Sequence, residues 1–544
     1  MTAKKTAPVS AAASKLASVV KPKATDSAPH LVVKAGAGCG KTTTLIGGLQ
    51  CVQGIEPHII IAGTNERRVM IPSVQQAKVW DCMKLSAGKV RTIGMCAFNK
   101  SIAVEMGRRV PAGVDAMTLH SLGNRAVNNG CGKLKMLEGR VDSLIEFATG
   151  TDIWELRRTK TTMLQATKRM VNLCKMNLTD PTPDELDRLS GHYEVEMNGS
   201  RSEVYDLVPR VLELCKDVRR DGAFDFDDMV WLPVVLNLPV YRYDLLLVDE
   251  SQDLNRCQQE LAKRAGSRLI LCGDPNQAIY GFAGADSQAM SRMETELKAT
   301  DRGCETIPLM ETRRCGKEIV KEAQKIVPDL TAHETNSEGK ISFAQYTVDD
   351  NGNARPPEKT YLPTVKAGDM ILCRVNAPLV SQCFKLLKLG VKANIQGRDV
   401  GQGLISTIKK MKASTIPDLI EKLCRWLDAE TAKENAKKFP SESRLIALAD
   451  RYDCIVCFTD GQTTPDGVVA KIEAVFTDNK DLPGVRLSSI HKAKGLEAHK
   501  VYFLQPKGAG CPHPMAKGEW QVEQEWNLRY VGITRAIEEL VWVA

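Results

Sequence analysis

Residues 30–42 read His-Leu-Val-Val-Lys-Ala-Gly-Ala-Gly-Cys-Gly-Lys-Thr, an apolar run, a glycine-rich turn and a Lys-Thr pair that opens a helical pattern. A buried strand that delivers such a loop to a helix N-terminus brings backbone N–H groups around a phosphate, and the helix dipole adds positive potential. Ala35, Gly36, Ala37, Gly38, Cys39 and Gly40 form the expected cradle, with Thr43 following in the first helical turn. Lys41 is placed to reach the β- and γ-phosphates, and the Thr42 hydroxyl to ligate Mg²⁺. A chance glycine loop would lack the strand before it and the Lys-Thr helix start after it.

Working outward, six further apolar runs end in polar or glycine-rich turns: Thr92–Ala97, Tyr243–Val248, Arg268–Cys272, Met370–Cys373, Val485–Ile490 and Lys500–Leu504. Runs without polar alternation, separated by helical patterns, predict parallel strands covered on both faces. They cluster in two groups, so the expected fold is α/β with two parallel sheets flanked by helices. Residues 122–222 and 396–483, the latter with a helix over Ile416–Leu427, read as mainly helical insertions. The expected division is a tail at 1–29, a first core at 30–121 and 223–300, and a second core at 301–395 and 484–544.

Two further turns carry chemistry. Leu245-Leu-Leu-Val-Asp-Glu-Ser-Gln252 delivers adjacent carboxylates at a strand end. There Asp249 suits Mg²⁺ and Glu250 suits an attacking water, because phosphoryl transfer needs a positioned nucleophile and charge stabilisation. In Leu271-Cys-Gly-Asp-Pro-Asn-Gln-Ala-Ile-Tyr-Gly-Phe282, Gln277 is placed to sense a γ-phosphate. Tyr280 and Phe282 offer faces on which bases stack, or else belong to the core.

Composition narrows the classes. With 544 residues and 43% hydrophobic content the chain buries a real core, which excludes wholesale disorder. No apolar run approaches the ~20 residues of a membrane span, so no membrane partner is expected. Five lysines against one aspartate in the first 29 residues carry half of the net +8, which predicts a disordered basic tail. Lys15 interrupts its only apolar stretch, which argues against a secretory signal. Arg157, Arg158, Lys160, Lys168, Arg169 and Lys175 crowd the first insertion and read as a solvated face. Cys454 and Cys457 form the only C-x-x-C among 17 cysteines, and a zinc site needs two more ligands. So many thiols predict a reducing compartment: the cytoplasm, with nucleoid association in a prokaryote, or the nucleus in a eukaryote.

The ordered motifs resemble superfamily 1 DNA helicases of the UvrD/Rep type. AGAGCGKTTTL, VDESQD and GDPNQAIYGFAGA are similar to that family's motifs I, II and III, and CAFNKSIAVEM (96–106) and TLHS (118–121) to its motif Ia and neighbour. LMETRRC (309–315), IHKAKGLE (490–497) and YVGITRA (530–536) continue the series. AFNKS and DFDD (225–228) look closer to the F-box DNA helicase and phage-like branch. The resemblance implies two RecA-like P-loop cores with ATP and Mg²⁺ between them and single-stranded DNA across their tops. By position, Arg314 and Arg535 would touch the γ-phosphate, Glu497 the nucleotide sugar, and Arg313 would stack where the family carries tyrosine. Phe98, Asn99, Thr118, His120 and His491 fall at or near the implied DNA track. A Gln-containing motif precedes the P-loop in this family; its look-alike here, Pro72-Ser-Val-Gln-Gln76, follows it.

The implied activity is ATP-dependent translocation on single-stranded DNA and unwinding at duplex junctions, 3′→5′, in replication, repair or recombination. Two alternatives stay open: an RNA-directed or promiscuous helicase, and an ATP-switched DNA-binding protein that displaces partners without unwinding.

Overall fold

The computed structural model describes residues 27–60, 66–197, 199–281, 288–349, 355–436, 440, 442–477 and 483–544. The basic tail up to residue 26, and Phe282, lie outside them.

All seven apolar runs are strands. The first sheet holds β1 (His30–Ala35), β2 (Ile93–Ala97), β3 (Val114–Thr118), β4 (Tyr243–Val248), β5 (Gly266–Gly273) and β6 (Cys304–Leu309), in the order β6-β1-β5-β4-β2-β3. Every pairing in it is parallel. The second sheet holds β7 (Lys340–Ala344), β8 (Met370–Cys373), β9 (Ala393–Gln396), β10 (Phe476–Thr477), β11 (Val485–Ser489), β12 (Ala498–Leu504) and β13 (Ala536–Val543). Its order is β7-β13-β12-β8-β11-β9-β10, again parallel throughout.

Alternation along these strands explains why the runs are apolar without a break. Leu31 and Val33, Leu245 and Leu247, and Ile270 and Cys272 face one hydrophobic core, while Val32, Leu246 and Leu271 face another. In the second sheet Met370, Val501 and Phe503 join that first core, and Ile371, Tyr502 and Leu504 face a third. One core therefore spans both sheets, and each sheet's other face has a core of its own. The helices of the first insertion, among them Thr161–Asn177 and Arg201–Lys216, pack into the second core. Helices Arg398–Met411, Ile416–Asn435, Glu442–Thr459 and Pro465–Val475 build onto the third.

Three expected boundaries are corrected. Residues 304–309, assigned above to the second core, form β6 and pair with β1 in the first sheet. Its burial alternates and it contains Pro308, as an edge strand tolerates, so it offers no unbroken apolar run. Ala28 and Pro29, assigned to the tail, are held against the first sheet, their carbonyls accepting from Arg302 (2.6 Å) and Arg268 (2.7 Å). The helix expected over Ile416–Leu427 runs on to Asn435, through polar residues whose exposed face carries no apolar signal. Among the described residues, no helix is long and apolar enough to cross a membrane.

His30 makes the first core pH-sensitive. Its Nδ1 accepts the Leu269 amide at 3.0 Å, and burial, then Arg302 and Arg268, pushes its pKa down to about 4. The unfolded chain takes up this proton near the ordinary value of 6.5 and the folded chain only near 4, so stability falls as pH drops through that window. Between pH 6.5 and 5, stability measured by thermal unfolding is expected to fall by about 1 kcal/mol per pH unit through His30. His30→Gln should flatten that slope, and an unchanged slope would refute the assignment.

Candidate functional site

The loop between β1 and helix Lys41–Val52 turns through Gly38 (φ 70°) and Gly40 (φ 75°), a left-handed backbone that side chains resist. A Cβ on Gly38 would also fall 2.5 Å from Arg314 Cβ and 2.5 Å from Thr312 Oγ1. The segment after β6 therefore lies directly on the loop. Arg313 N–H donates to the Gly38 carbonyl (3.1 Å), and Ala37 N–H donates to the Tyr530 hydroxyl (2.9 Å). Residues 310–315 alone separate Leu309 of β6 from Gly316, whose N–H donates to Ile537 of β13. Groups of the second core thus touch the cradle itself.

Four carboxylates converge beside it. Asp249 and Glu250 follow β4, Asp253 lies one turn on, and Asp274 follows β5. Lys41 Nζ stands 3.3 Å from Glu250, and Lys494, from the second core, reaches Asp253 at 2.6 Å. Two lysines against four carboxylates leave negative charge to be met. Burial and then Glu250 raise Asp249 to about 6, whereas Lys41 and Lys494 overcome burial and hold Glu250 near 2. Burial disfavours the charge on Lys41, but Glu250, Asp274 and Asp249 outweigh it and raise its pKa. Thr42 Oγ1 donates to Asp249 Oδ2 at 2.5 Å, a hydroxyl and a carboxylate of the hard-oxygen type that suits Mg²⁺. Glu250 sits at φ 53°, a strained conformation for a non-glycine residue, and Gln252 steadies its carboxylate at 2.6 Å. Gln277 donates to Asp274 at 2.6 Å.

Arg535 is 1% exposed and bonds the Val531 and Leu496 carbonyls (2.9 and 3.1 Å) and the Thr534 hydroxyl (3.2 Å). Among the described residues it forms no ion pair. Burial and neighbouring Arg314 lower its pKa to about 10, still charged at neutral pH. Arg314 is held by Glu497 at 2.6 Å. A buried cation without a carboxylate, beside a phosphate-type cradle, is an arrangement suited to an anion.

The expected aromatic residues gather in part. Phe98 and Tyr280 stack with centroids 6.1 Å apart, and His120 stacks on Phe226 at 4.2 Å. All four line one pocket of about 230 Å³ together with Asn255 and Gln258. Phe98 is 42% exposed and Phe226 is 56% exposed, so these faces are offered to solvent. Phe226 belongs to the DFDD stretch, which the sequence reading used only as a family mark. Asp225 and Asp228 accept each other's backbone N–H at 2.9 Å around it, and buried Arg140 and Lys175 neutralise them. Lys494 joins this pocket to the carboxylates: its ammonium also bonds the Gln277 carbonyl (2.8 Å) and lies 5.0 Å from the Tyr280 ring centre.

Other expected track residues do structural work. Asn99 and Thr118 cap helices Lys100–Arg109 and Leu119–Cys131, accepting from Ile102 (2.9 Å) and Ser121 (3.1 Å). The His491 carbonyl accepts from Tyr280 (3.4 Å). Arg313 is exposed, and Thr43 is half-buried in the first helical turn. In the basic cluster Arg157 and Lys168 pair with Asp142 and Lys160 with Glu203, as a solvated face does. Gln76 of the displaced look-alike packs beside the cradle and donates to Thr44 at 2.9 Å.

A family model described as the UvrD/REP helicase N-terminal domain matches residues 20–298, and one described as the UvrD-like helicase C-terminal domain matches residues 406–544. The chain is similar to the ATP-dependent DNA helicase PcrA of Staphylococcus aureus (strain MRSA252), 22% identical over 443 residues, 60% of this chain and 59% of that protein. PcrA of Staphylococcus epidermidis (strain ATCC 12228 / FDA PCI 1200) is 23% identical over 442 residues, with the same coverage of 60% and 59%. The chain thus spans about three fifths of the length of these relatives.

Replacing Arg535 by Ala is expected to lower nucleoside triphosphate hydrolysis by about 10³-fold or more, the worth of a transition-state arginine. Steady-state turnover at saturating nucleotide measures this, and turnover within threefold of the parent would show that the buried cation serves packing alone.

Proposed function

The chain belongs to the UvrD/REP helicase family, and on that premise we propose that it is an ATP-driven motor that moves along single-stranded DNA and separates duplex ahead of it. The observation that carries the reading is Lys494, which bonds Asp253 among the catalytic-type carboxylates while lying over Tyr280, the stacking partner of Phe98. Occupancy of one site thereby bears on the other.

In this reading the 35–40 cradle and Lys41 hold the β- and γ-phosphates, and Thr42 and Asp249 hold Mg²⁺. The metal, when bound, neutralises charge that develops on the phosphates. Glu250, kept ionised by two lysines, orients the attacking water. Gln277 senses the γ-phosphate, and Arg314 and Arg535 stabilise the charge of the transition state from the second core. Phe98, His120, Phe226 and Tyr280 stack on bases, worth about 1–3 kcal/mol each. The family resemblance supplies the 3′→5′ direction and a setting in replication, repair or recombination. A second reading, tolerance of RNA, draws on the same pocket, because aromatic faces do not read the 2′-hydroxyl.

ATP hydrolysis by the purified protein, measured alone and with single-stranded DNA, single-stranded RNA or blunt duplex, tests this. Single-stranded DNA is expected to stimulate turnover at least tenfold and blunt duplex not at all. Equal stimulation by RNA selects the second reading, and turnover indifferent to every strand refutes the motor. Lys494→Ala should bring the stimulation ratio down towards one, with the loss seen in the ratio and not merely in affinity for ATP.

A further inference from the structure

A second cleft, of about 720 Å³, borders the segment that carries Tyr280. Ala278 and Gly281 form its floor, residues 177–193 of the first insertion one wall, and the start of helix Glu519–Ile533 of the second core the other. That helix is fastened to the floor: Gln524 donates to the Ile279 carbonyl (3.0 Å) and Asn527 to the Ala278 carbonyl (3.3 Å). Gln521 bonds Glu194 of the insertion at 3.0 Å, which fixes the spacing of the two walls.

Trp520 lines this cleft, half-buried, and its indole is braced. The His192 ring packs on it at 5.3 Å, and Tyr193 in turn meets His192 edge-on at 4.7 Å. A ring held in place before a ligand arrives loses little entropy on binding. The electrostatics decide which part of a strand it meets. Three arginines and four carboxylates line the cleft, with Arg188 paired to Glu185 (2.8 Å) and Arg256 to Glu296 (3.0 Å). Such walls do not attract phosphate, whereas an aromatic face accepts any base.

We propose that Trp520 is a stacking platform for an unpaired base of single-stranded DNA, next along the strand from the Phe98–Tyr280 pocket. The inference rests on the functional reading above and adds to it a contact from the second core.

Fluorescence anisotropy of labelled oligo(dT) with the full chain, across a series of salt concentrations, tests it. Trp520→Ala should weaken binding about 5- to 150-fold, the equivalent of 1–3 kcal/mol. The slope of log affinity against log salt should stay that of the parent, because no ionic contact is removed. Trp520→Phe should keep most of the affinity. Trp526→Ala, on the same helix but outside the cleft, should bind as the parent does. Parental affinity in Trp520→Ala overturns the proposal, as does a loss accompanied by a shallower salt slope. Should Trp520→Ala melt early, the Phe variant decides: retained affinity supports the platform and lost affinity overturns it. If the unsubstituted chain binds no oligo(dT), the functional reading has failed and this inference falls with it.

Discussion

Four carboxylates brought together at the ends of two buried strands are a configuration that burial alone would not tolerate. Lys41 from the loop after β1 and Lys494 from the second core make it tolerable, and the remaining negative charge calls for a cation. Much of the architecture follows. The P-loop helix must start where Lys41 can meet Glu250, and the second core must approach closely enough for Lys494 to meet Asp253. The shared hydrophobic core, with Met95 and Leu247 on one side and Val501 and Phe503 on the other, holds the two sheets at that separation. The opposite pKa directions of Asp249 and Glu250 show adjacent residues divided by their neighbours into a hydroxyl-bonded group and a firmly ionised one.

What could be read in advance follows from how local each signal is. Strands buried on both faces announce themselves, as 243–248 does with Leu-Leu-Leu-Val, and phosphate-type turns after them carry their own spacing. Strand β6 escaped because one face is exposed and Pro308 interrupts it. The aromatic pocket is half legible: Phe98, His120 and Tyr280 stand in recognisable stretches, but Phe226 joins them only because the chain folds back across more than a hundred residues. Lys494 stood in a quoted motif without a role, since its partners Asp253 and Tyr280 lie in the other core. The helix caps of Asn99 and Thr118 were a local signal that the family resemblance overshadowed.

The basic cluster of the first insertion makes the converse point. Its density reads as a solvated face, and Arg157 and Lys168 do pair with Asp142 there, but Lys175 lies buried between Asp225 and Asp228. The buried pair contributes by placement: it fixes the loop on which Phe226 is displayed.

The brevity of the crossing from β6 to Gly316 has a mechanical meaning. With only residues 310–315 between the sheets, and Arg313 and Arg314 among them, the fulcrum of any rotation of the second core lies within bonding distance of the glycine-rich loop. A displacement of a fraction of an ångström there is multiplied by the length of the second core before it reaches the helices of its insertion. The fold thus has the geometry of a lever, its short arm at the glycine-rich loop and its long arm ending at the helices of residues 398–475.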